Sequence, residues 1–153
     1  MSFNIDVSQL TGLKAQLRAF GAKVKSEVAM EGVAGMALVI YEDVRSRVRI
    51  SSTAHYFHGR QFKKNGIKYL IQPGTLKNAI YRVYSPEKSS DTFKLYRVSW
   101  NHKKAPHGFM VEYGTSKMEA RPFMRPATSR LPDAITAGKL RMAAKLKELE
   151  SRR

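Results

Sequence analysis

Residues Gly108 to Ala127 read GFMVEYGTSKMEARPFMRPA, and the rest of the chain is organised around how this stretch folds. Phe109, Val111 and Tyr113 alternate with Met110 and Glu112, the period of a strand, and Gly114 stands where a strand would turn sharply. Downstream, Pro122 biases Arg121 toward an extended backbone, while Pro126 suits the first position of a following helix. Phe123, held between these rigid points, is expected to anchor the loop on a sheet.

Working back from the expected strand Met110–Tyr113, three further strands are expected at Lys68–Gln72, Ala79–Tyr84 and Thr92–Trp100. Ser85-Pro86-Glu87-Lys88-Ser89-Ser90-Asp91 has turn composition, so residues 79–100 read as an antiparallel hairpin. Tyr96, Val98 and Trp100 share its core-facing side; on the other, Arg97 and Ser99 interrupt Phe93 and Leu95. A meander is the expected topology.

Further upstream, Leu10, Leu13, Leu17, Phe20 and Val24 recur at helical spacing with Ser8 as a cap, predicting a helix over 8–28. Val33, Ala37, Ile40, Val44 and Val48 form a second stripe, and Gly32 and Gly35 at the phase change predict a kink or a break. At the other end, Leu131, Ile135, Met142, Leu146 and Leu149 mark a helical C-terminal segment, weakened at Gly138. The expected fold class is α+β: a long N-terminal helix or helix pair, an antiparallel meander of three to four strands and a C-terminal helix. One domain spans 1–153, with 8–50 helical, 51–68 a basic flexible loop, 68–115 sheet, 116–126 a loop and 127–150 helical.

Composition narrows function. The net charge is +16, and residues 53–104 hold eleven Lys or Arg against two acidic residues. Such a field attracts polyanions, or an acidic protein partner. Arg60, Lys63, Lys64 and Lys68, interleaved with Tyr56, Phe57 and Phe62, make the 51–68 loop the most basic exposed segment, suited to DNA contact or partner docking. There is no cysteine, so neither disulfides nor thiolate metal sites arise. The longest apolar run, Met36 to Tyr41, is too short to span a bilayer, and the N-terminus lacks a signal pattern. No membrane association is expected.

No catalytic constellation stands out. His55 and His58 have a spacing two metal ligands could share, but no carboxylates nearby complete a site. There is no G-x-S-x-G elbow, phosphate loop or paired acidic motif. A metal-independent ribonuclease built from His102, His107 and Tyr113 is the enzymatic reading weighed against these absences. The expectation is no enzyme, no cofactor and no metal.

Glu112-Tyr113-Gly114-Thr115, followed by Arg121-Pro122-Phe123 and Pro126-Ala127, resembles a signature of the tailed-bacteriophage neck and tail-completion family. Gly74-Thr75-Leu76 leading into Asn78-Ala79-Ile80 is similar to that family's upstream Thr-Gly-x-Leu motif, with Pro73 where Thr is usual. By motif the resemblance covers residues 72–128, and by architecture alone residues 8–50. It implies a structural virion protein at the head–tail junction, a tail-completion or tail-terminator-like subunit. Such a protein assembles in the host bacterial cytoplasm into a ring, expected to be a hexamer. It would cap the tail tube, contact the tube protein and the head connector or neck proteins, and pass genome DNA through its lumen. The alternative reading is a stand-alone basic nucleic-acid-binding protein.

Overall fold

The computed structural model describes residues 3–4, 22–59 and 62–151. Helix α1, Ala22–Arg47, is the central packing element, contacting strands of the main sheet, the 3-10 turn at 125–130 and the C-terminal helix. Val28, Val33, Met36, Ala37, Ile40 and Val44 are buried along one side of it, the larger side chains each adding roughly 1.5–3 kcal/mol. The three-stranded sheet and the C-terminal helix both pack on α1. The expected stripe of Val33, Ala37, Ile40, Val44 and Val48 is therefore core. The helix expected over 8–28 lies, as far as residue 21, outside the described residues.

The expected kink at Gly32 and Gly35 does not occur; α1 is continuous through both. Their role is close approach to the C-terminal helix, Leu131–Ser151. A Cβ on Gly32 would collide with the Met142 side chain, and one on Gly138 would lie 2.6 Å from Met36 Cγ and 3.0 Å from the Gly32 carbonyl. Gly138, which the sequence marks as a weak point, is thus where the two helices meet. Tertiary packing outweighs the roughly 1 kcal/mol helix penalty of each glycine.

Strand β1, Phe3–Asn4, and β2, His55–Phe57, precede the short helix α2, Phe62–Asn65, and strand β3, Tyr69–Ile71. A short helix α3, Thr75–Ala79, leads directly into β4, Ile80–Tyr84, and then β5, Tyr96–Trp100. The main sheet has the order β1-β5-β4 and is antiparallel throughout. The hairpin expected over 79–100 is present, pairing Ile80 with Trp100 and Tyr84 with Tyr96. Its second strand begins at Tyr96 rather than Thr92 because serine hydroxyls take over the backbone partners. Ser89 Oγ accepts the Leu95 N–H at 3.0 Å and Ser90 Oγ that of Phe93 at 3.1 Å. Val98 and Trp100 are buried and Tyr96 packs beside them, as their alternation requires.

Three expectations need correction. The meander becomes a hairpin extended by β1 on one side, while β3 pairs with β2 in a separate two-stranded ribbon. The segment 51–68, expected as a loop, contains β2 and α2. Met110–Tyr113 is not a strand: it belongs to helix α4, Gly108–Tyr113. Gly108 and Glu112, four residues apart, face inward, whereas Phe109 and Tyr113 are exposed and their rings meet at 4.6 Å. The apolar alternation there is real in sequence and unused in the fold. The helix expected over 127–150 is present as a 3-10 turn, Arg125–Arg130, running into helix α5, Leu131–Ser151.

Candidate interaction site around Glu112

Glu112 is completely buried, and its carboxylate organises the whole signature segment. After α4, Gly114 adopts φ 76° and ψ −179°, a region essentially reserved for glycine. A Cβ there would also lie 2.8 Å from the Ala120 nitrogen. The chain then closes a tight loop, the Thr115 N–H donating to the Met118 carbonyl at 2.8 Å, and returns so that the Arg121 N–H reaches the Val111 carbonyl, also at 2.8 Å. This return delivers residues 123–125 to the carboxylate.

Three successive backbone N–H groups donate to it. Phe123 and Met124 reach Oε2 at 2.8 and 2.9 Å, and Arg125 reaches Oε1 at 3.0 Å. The Arg125 side chain adds Nε to Oε1 at 3.1 Å, and its Nη2 donates to the Glu112 backbone carbonyl at 2.8 Å. Phe123 and Met124 immediately precede the 3-10 turn and Arg125 opens it, so the anion also sits at the positive end of a helical segment. Burial pushes the Glu112 pKa up, but the Met124, Arg125 and Phe123 N–H groups with the Arg125 guanidinium outweigh it, leaving the pKa below the usual carboxylate value. Arg125 covers the half-exposed Tyr113 ring at 4.9 Å. Phe123, fully buried, meets Trp100 of β5 edge to face at 5.5 Å, so it does anchor the loop on the sheet.

The upstream motif meets this unit. Gly74 immediately precedes α3, Thr75 Oγ1 donates to the Gln72 carbonyl at 2.7 Å, and Leu76 is buried. A Cβ on Gly108, at the start of α4, would stand 2.9 Å from Leu76 Cδ1, so the two motif halves are in contact. Between them opens a cleft of about 860 Å³, which Gly74, Thr75, Leu76, Arg121 and Pro122 help to line. Thr115 stays exposed and accepts the Lys117 N–H at 3.3 Å, while Pro126 is half-buried in the 3-10 turn.

The basic residues of the 51–68 segment are not part of this arrangement. Lys63, Lys64 and Lys68 are exposed on α2 and beside β3, and Lys68 Nζ lies 5.8 Å from the Phe62 ring centroid. Arg60 lies outside the described residues. His58 packs on Phe62 at 4.4 Å rather than alongside His55. His55 instead faces His107 at 6.3 Å, and the His107 pKa is lowered, first by burial and then by the His55 charge. His107 Nδ1 is buried without a hydrogen-bond partner.

Sequence reasoning missed Arg125 and the inward turn of Glu112. A signal was available: a glutamate followed by a Gly-Thr turn, eleven residues ahead of N–H groups that open a proline-started helix. No family model matches the chain, and neither a curated protein nor a solved structure does.

Proposed function

We propose that this protein is a structural subunit of the head–tail junction of a long-tailed bacteriophage, a tail-completion or tail-terminator-like protein working in a hexameric ring. The observation that carries the reading is the Glu112 clamp. The residues on which the family resemblance rests, Glu112, Gly114 and Phe123, hold α4, the sheet and α5 in fixed relation. Among the described residues, β4 pairs on one side only, and Tyr81 and Val83 are exposed on it, a surface suited to a neighbouring subunit.

The test is the mass of the purified full chain by light scattering at low and high salt, with and without tail tubes lacking their terminal proteins. A discrete ring, or binding confined to tube ends, supports the reading. A monomer that ignores tubes and binds DNA with steep salt dependence overturns it in favour of a stand-alone nucleic-acid-binding protein. Exposed Lys63, Lys64 and Lys68 are the observation favouring that second reading.

A further inference from the structure

The cleft between the two motif halves combines an apolar floor with basic side chains. Its lining includes buried apolar groups, Val48, Ile71 and Leu76, with Ile50 and Met118 exposed beside them. Four basic side chains also line it: Arg47, Arg49, Lys77 and Arg121. Arg47 is held by Asp43 at 2.6 Å, but Arg49, Lys77 and Arg121 form no ion pair with any described residue. Among the described residues that line it, Glu119 is the lone carboxylate. At about 860 Å³ the space lies within the range of ligand-binding clefts.

We infer that this cleft is a docking site for an acidic peptide segment of a partner protein, bound extended, with carboxylates alternating with apolar side chains. Charge complementarity selects an anionic occupant, and the apolar lining selects one that also carries hydrocarbon. Nucleic acid fits less well. Among the described residues that line it there is no Phe, Tyr or Trp to stack a base, and the two imidazoles there, His55 and His107, already face each other edge to face.

The inference does not require the ring reading, which is judged separately on mass and tube binding. The probe is a fluorescein-labelled hexapeptide of alternating aspartate and leucine, titrated by anisotropy into the full chain, with oligothymidylate as competitor. Saturable binding is expected, weakened at least about tenfold by Lys77→Glu with Arg121→Glu and unchanged by Lys63→Glu with Lys64→Glu. The neutral pair Lys77→Gln with Arg121→Gln, expected to weaken binding in the same direction, replaces the reversal if that variant loses its circular dichroism. The proposal is overturned by absence of peptide binding, by equal affinity in the cleft variants, or by thymidylate displacing the peptide at lower concentration than the peptide itself requires.

Discussion

Replacing Glu112 by glutamine keeps the shape of the buried side chain and removes its charge. Oε2 now serves the Phe123 and Met124 N–H groups, and Oε1 serves the Arg125 N–H and Nε. An amide has one oxygen, so whichever way it is flipped its NH2 faces two donors. Two charge-assisted hydrogen bonds of about 1.5–3 kcal/mol each are lost, partly offset because a neutral amide is cheaper to bury. The expected loss is about 3–5 kcal/mol, against a total stability of about 5–15 kcal/mol. With a urea slope of about 2 kcal/mol/M, the midpoint falls by about 2 M, readable by circular dichroism. Protonation should do the same work in the wild type. Because the folded pKa of Glu112 is lowered, its contribution is complete above the ordinary carboxylate range and is lost as pH falls through the folded value. The gap between Glu112→Gln and wild type must therefore narrow on acidification. A loss below about 1 kcal/mol at neutral pH, no larger than that of the exposed control Glu119→Gln, would refute the clamp.

Other substitutions probe the parts around it. Phe123→Ala should cost about 3–5 kcal/mol in urea unfolding, since the ring is fully buried against Trp100; a cost near that of a surface change would mean the loop is anchored elsewhere. Gly138→Val is expected to destabilise by about 1–3 kcal/mol through overpacking against Met36 and the Gly32 carbonyl, and an unchanged or raised melting temperature would contradict the close helix crossing. Gly114→Ala should cost at least about 3 kcal/mol, combining an unfavourable backbone region with contact on the Ala120 nitrogen; full stability in the variant would show that the turn readily rearranges. The His107 imidazole should titrate below 6.5 by NMR, and His55→Ala should raise its midpoint only in part, because burial is the larger cause. Its lowered pKa means stability falls as pH drops from the ordinary histidine value toward the folded one, and a midpoint at or above 6.5 would be the contrary result.

The elements that sequence reading located well are those whose periodicity matches their burial. The Val33 to Val48 stripe, the hairpin over 79–100 and the C-terminal helix each bury one repeating face, so spacing alone reveals them. Strand β1, two residues long, carries no period to read. Helix α4 runs against its pattern, exposing Phe109 and Tyr113 and burying Glu112, because the N–H groups of residues 123–125 need an acceptor more than those rings need cover. The motif residues of the candidate site were legible as a group, but the cleft they line was not, since Arg49, Lys77 and Arg121 come from three distant segments.

The α+β class, the long helices, the hairpin and the basic excess can be read from the amino-acid order alone, because they follow from local spacing and composition. That Gly32 and Gly138 are contact points rather than breaks, and that Glu112 turns inward, emerges only once the segments are packed together. Both depend on what a distant segment brings to the same place: a second helix in one case, three N–H groups that donate to the Glu112 carboxylate in the other.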